Sequence, residues 1–143
     1  MNKITIGLMS LICFVLVCSC NMREGGVRVM NNMEEYAIKY MNTNQLLNTE
    51  EKVLAYYDYT ISLDGTEAAI LTDSRLIYHN KETTTSFIAI KDITDIQHRK
   101  ETLIGDIIEV TDHNGDLFVV EIAPLNQGET FLRVLQSKVN AIE

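Results

Sequence analysis

Hydrophobic positions follow three rhythms along this chain. They crowd into one run from Ile4 to Val17, fall at helical spacing around residue 37 and again after residue 130, and come in short strand-like runs between 52 and 123. In the first helical stretch Met33, Tyr36, Ala37, Tyr40 and Met41 share one face. Asn32, with Glu35 three positions on, has the form of a capping box, and Thr43-Asn44 closes the pattern, so a helix is predicted over 32–45. Its apolar stripe is expected to pack on the domain's own surface. Docking of a partner is the alternative, because Met-rich faces adapt to varied shapes.

From Lys52 the period changes, and turn residues arrive every eight to twelve positions. Strands are predicted over 53–63, 67–71, 75–79, 83–90, 93–99, 106–111 and 117–123, rich in β-branched and aromatic residues. Asp64-Gly65 and Asn114-Gly115 are hairpin turn pairs, and Thr72-Asp73-Ser74 and Asn80-Lys81-Glu82 supply further reversals. Seven strands with short connections predict an antiparallel sheet bent into a sandwich or barrel. Pro124 then stops the ladder. Asn126 is placed to cap a last helix, with Glu129 at its third position and Phe131, Leu132, Leu135, Val139 and Ile142 on one face. Burying five such side chains contributes on the order of 10 kcal/mol before entropy, so the helix is expected to cover the open end of the sheet.

The apolar run at the start has a different meaning. Met1-Asn2-Lys3 gives it a basic front, and it stops at Cys18-Ser19-Cys20, a short secretory leader in form. Val17-Cys18-Ser19-Cys20 resembles a bacterial lipobox, whose last cysteine is acylated and becomes the new first residue. A membrane-spanning helix needs about 20 apolar residues, more than this run holds. A conventional leader cut elsewhere, for example before Asn21, is the other alternative. The implied organisation is a leader over 1–19, lipid on Cys20, a flexible tether over 20–31, the helix over 32–45 and a folded domain over 46–143. Extended, 21–31 would span about 35 Å. All three cysteines lie at or before position 20, so the folded part holds no disulfide or thiolate metal site.

Charge narrows the partners. The chain has formal charge −8, and losing Lys3 with the leader makes it one unit more negative. Such a chain is repelled by phosphate backbones and anionic headgroups, so nucleic acid is not an expected partner and electrostatics would not hold it on a membrane. Lipid would. One acyl chain binds marginally, and lipoprotein maturation places several on one cysteine.

Several short stretches in order resemble the bacterial pleckstrin-homology-like and GRAM-like domains. These are Glu50-Glu51-Lys52-Val53-Leu54, then Ala69-Ile70-Leu71-Thr72-Asp73-Ser74-Arg75-Leu76-Ile77-Tyr78, then Ile90-Lys91-Asp92-Ile93-Thr94-Asp95-Ile96, and Ile122-Ala123-Pro124-Leu125 before the last helix. The resemblance covers 46–143. It implies a mainly β fold of the α+β kind: a seven-stranded antiparallel barrel capped by the C-terminal helix and preceded by the short N-terminal one. It carries no catalytic set. Eukaryotic relatives that hold phosphoinositides use Lys and Arg after the first strand. Here that turn, 62–67, is acidic, so no phosphoinositide site is expected.

The candidate site residues are accordingly structural. Thr72 and Asp73 are placed to bond turn backbone, and the fork of Arg75 to pair with a carboxylate such as Asp92 or Asp95. Ligand binding by Arg75 is the alternative. His98-Arg99-Lys100 reads as a solvated strand end. His79, His98 and His113 match no metal-ligand spacing, and 112–116 lacks the frame of a calcium loop. No nucleophile elbow, phosphate loop or paired carboxylates stand out, so neither enzyme nor cofactor is expected. The expectation is a membrane-tethered binding or scaffold module outside the cytoplasm, taking a protein partner or a copy of itself. The alternative is a small-ligand or lipid carrier using the barrel mouth.

Overall fold

A computed structural model describes residues 25–142. The leader over 1–19 and Cys20 lie outside the described residues. In chain order the elements are β1 (Arg28–Val29), a 3-10 turn (Met30–Asn32), α1 (Glu35–Thr43), β2 (Val53–Asp58), β3 (Glu67–Thr72), β4 (Arg75–Asn80) and β5 (Thr85–Ala89). A second 3-10 turn (Ile90–Asp92) leads to β6 (Ile93–Glu101), β7 (Gly105–Asp112), β8 (Leu117–Ile122) and α2 (Gly128–Asn140). No helix among the described residues is long and apolar enough to cross a membrane.

The strands form two antiparallel sheets, β1-β2-β3-β4-β5 and β6-β7-β8. They do not close into the expected barrel, and two features keep them open. The 3-10 turn Ile90–Asp92 carries the chain from one sheet to the other without laddering β5 to β6. The edge of β2 is taken by β1, with Arg28 opposite Tyr56 and Val29 opposite Ala55. Side chains join the sheets instead. The Tyr57 hydroxyl accepts hydrogen bonds from the Ala123 N–H and from Asn126 Nδ2, both at 3.2 Å.

Residues 25–31 are therefore no free tether. The Val27 N–H donates to the Asn126 carbonyl at 3.0 Å, and the Val27 side chain is buried. The predicted helix over 32–45 is also shorter. It begins at Glu35 after Glu34, because Met30–Asn32 forms its own turn, and it ends at Thr43. Its stripe packs on the domain: Ala37 and Met41 meet Tyr56, Ala68, Ile70 and Ile77 on the outer face of the five-stranded sheet. That sheet is covered on both sides, so Ala68 to Leu71 are all buried rather than alternating.

The main core lies between the sheets, with Leu71, Leu76, Ile108, Val110, Val120 and Ile122 meeting Phe131 and Leu135 of α2. Leu132 and Val139 pack against it, whereas Ile142 falls beyond the end of α2 and is exposed. Asn126 does not cap α2. Gln127 occupies that position at φ +63°, and Asn126 is spent on Tyr57 and Val27.

Candidate functional site at the loop end

The turn after β3 is sewn into its neighbours. Thr72 Oγ1 accepts from the N–H groups of Ser74 and Arg75 at 3.2 and 2.8 Å. Asp73 accepts from the Lys52 N–H at 3.2 Å and returns a backbone hydrogen bond to the Lys52 carbonyl. Arg75 has a carboxylate partner, but neither Asp92 nor Asp95. Its Nε and Nη2 bind the two oxygens of Glu51 at 2.9 and 2.5 Å, and Nη2 also reaches the Leu46 carbonyl. The guanidinium lies 5.0 Å from the centre of the Phe87 ring. Asp95 instead accepts from Gln97, and Asp92 lies 4.0 Å from His113.

Hairpin register was the signal that locates Glu51. Val53 stands opposite Thr72, so the residues before β2 lie beside the turn after β3. Burial pushes the Glu51 carboxyl up, but hydrogen bonds from Arg75, Thr72, the Asn48 N–H and Ser74 outweigh it and hold the group down to about 2. Nε and Nη2 of Arg75 are thus engaged within the protein.

The basic run is engaged in the same way. His98 Nε2 lies 2.8 Å from Asp106, Lys100 reaches Glu129 at 3.1 Å, and Arg99 pairs with Glu101 and Glu109. His79 is buried between Tyr40 and Thr85, at 3.2 and 2.7 Å, and burial lowers its pKa. Among the described residues no group of three His, Cys, Asp or Glu could hold a metal ion.

Four connections and the start of the described chain converge on one end of the sandwich. Gly25 and Gly26 lie with Ile61 and Asn126 around one open depression of about 300 Å³. Leu125, Thr102 and Gly105 line another of about 630 Å³, which also meets Lys100 and Glu129. The 102–104 turn is seated hard on the loop after β8. A Cβ on Gly105, at φ +103°, would stand 2.1 Å from the Ile122 carbonyl oxygen. The turn over 81–84 completes this end, with the Lys81 N–H donating to the Thr66 carbonyl at 2.8 Å.

The β2–β3 connection is held by a buried carboxylate that sequence reasoning missed. Asp58 accepts from the hydroxyls of Tyr36 and Tyr56, both at 3.1 Å, from the Gly65 N–H at 2.8 Å, and from the N–H and Oγ1 of Thr60. Burial and the Asp58 charge push both phenols up, so they stay protonated and donate. Asp64 accepts from Ser62 and Thr66, which hold it down to about 2. Nothing in the sequence pattern marked Asp58, which reads as one polar position in a strand. The polar groups at this end thus bond one another, while its loop tips present Ile61, Leu103 and Leu125 to solvent at 103, 91 and 98 % exposure.

Residues 47–137 match a family described as bacterial PH domain. A crystal structure of a protein of the DUF1696 family with a pleckstrin-homology domain, from Shewanella loihica PV-4, is similar at a TM-score of 0.54 and 12% identity, covering 81% of this chain and 99% of that one. Comparison with curated proteins gave no match.

Proposed function

The chain belongs to the bacterial PH domain family, and from that premise we propose a binding module held at a membrane by lipid on Cys20, with its domain outside the cytoplasm. Domains of PH-like fold are typically non-catalytic binding modules. The observation that carries the tether is the N-terminal pattern: a basic front, an apolar run too short to span, and Ser19 before Cys20. Binding rather than catalysis is supported by how the titratable groups are used. Glu51 is bound by Arg75, Asp106 by His98, and Asp58 by two tyrosines and backbone.

The partner in this reading is a protein or a second copy of the chain. Strands β5 and β8 end their sheets, and β8 carries Leu117 and Val119 exposed, which suits an added strand. Carriage of a small ligand inside the fold is disfavoured, because Phe131 and Leu135 already fill the space between the sheets.

Fractionation of wild type and Cys20→Ala tests the tether. Wild type is expected in membranes as a shortened form, with the variant accumulating at precursor size. Mature wild type in the soluble fraction would overturn the reading. Cross-linking in intact cells tests the partner, and a protein that stays strictly monomeric there without cross-links counts against it.

A further inference from the structure

We propose that the loop end is a bilayer-docking face, on which Ile61, Leu103 and Leu125 insert into the lipid surface beside the anchor. The inference rests on the lipid-anchored reading and gives that anchor a second, orienting contact. The three side chains are the most exposed large apolar residues described, and each stands at the tip of a different connection. Their connections adjoin. Leu125 shares a depression with Thr102 and Gly105, which flank Leu103 and its neighbour, and Ile61 shares another with Ala123 and Asn126, which flank Leu125's loop.

The tips are held outward rather than left loose. Thr60, before Ile61, is tied to Asp58 through its N–H and its hydroxyl, and Asp64 gathers Ser62 and Thr66 behind it. Leu125 sits at φ +69°, a backbone region that leucine rarely adopts, and Gly105 locks the 102–104 turn on the Ile122 carbonyl. Separate apolar points on rigid supports fit a fluid that deforms around them. A protein partner would need a continuous complementary patch.

Chain length selects the lipid surface as occupant. Cys20 precedes Gly25 by five residues, which span at most about 18 Å whatever their conformation. A domain of this size is roughly 35 Å across, so the anchor brings the Gly25 end toward the bilayer and leaves the 113–116 turn at the far end of the same strands. Gly25 and Gly26 lie against Asn126 and share a depression with Ile61. Charge sets the kind of lipid contact. This end carries Asp64, Glu82, Glu101 and Glu129 against Lys81 and Lys100, so docking depends on apolar insertion and gains nothing from anionic headgroups.

The chain contains no tryptophan, so single reporters are clean. Full-length protein extracted from membranes is reconstituted in phosphatidylcholine vesicles with brominated acyl chains, as Ile61→Trp, Leu103→Trp, Leu125→Trp and, at the opposite end, Asn114→Trp. All four positions are exposed, and an unchanged melting temperature confirms folding. Quenching that removes about half the emission at the three tips, with none at Asn114→Trp, is the expected result. Acylated protein with unquenched tips overturns the docking face and leaves the anchor standing. Tips that shift to the blue without bromine quenching overturn it too, because protein then covers them. An intact mass without acyl chains overturns the anchor and this inference together.

Discussion

Arg75 shows what a single residue discloses in advance. A guanidinium opening a strand beside a polar turn reads as an ion-pair partner, and it is one. Which carboxylate it takes depends on the register of β2 with β3, a property of two strands, and Glu51 lies 24 positions away. The Glu51 side chain is only 2 % exposed, so removing its charge leaves the guanidinium without its partner in a largely dry site. Glu51→Gln is expected to cost about 2–4 kcal/mol in chemical denaturation, and Asp95→Asn, on an exposed position, within about 0.5 kcal/mol. The same pair sets an acid limit. Glu51 falls from 4.5 to about 2 on folding, so its contribution is complete above 4.5 and fades as pH drops toward 2. His79 acts earlier: burial keeps it neutral, so stability starts to fall as pH drops below its unfolded value of 6.5. Melting temperatures across pH 2–8 should show both slopes, with Glu51→Gln flattening the lower one and His79→Gln the upper.

Elements with a long period were legible and short ones were not. The stripe of α1 and that of α2 each repeat over more than one turn, and both pack on the domain apart from Ile142, past the end of α2. β1 has two residues, too few to alternate, and the two glycines before it made 25–31 look like linker. Closure of the barrel failed for a related reason. Periodicity reveals strands, whereas which edges meet is decided by the 3-10 turn at Ile90–Asp92 and by β1 occupying β2. Two substitutions weigh these joints. Met41→Ala, at the contact of α1 with the five-stranded sheet, should cost about 2–4 kcal/mol in denaturant titration, whereas the exposed Ile38→Ser on the same helix should change stability by under about 0.5 kcal/mol. Gly105→Ala adds a Cβ at φ +103° against a backbone oxygen that cannot swing away, and a loss of about 2–4 kcal/mol is expected by the same titration.

At the scale of the whole molecule, the domain is two sheets and a wedged helix whose buried carboxylates, Asp58 and Asp106, are bonded within the fold. α1 lies before the 47–137 region matched to the family and covers the outer face of the five-stranded sheet. The Val27–Asn126 hydrogen bond and the pairing of β1 with β2 place Gly25 at the end that bears Ile61, Leu103 and Leu125. That end was invisible in the sequence, where the three residues lie in separate turns and share no spacing. An apolar contact of this kind resists salt, because screening weakens only charge attraction. Attachment of this domain to a membrane depends, in the lipid-anchored reading, on the sulfur of Cys20. Intact mass spectrometry of the wild-type protein extracted from its own membranes tests it most directly. The expected result is the mass of residues 20–143 plus several acyl chains, carried on the N-terminal peptide after digestion. The unmodified mass of the same residues, or a polypeptide still bearing residues 1–19, would contradict it.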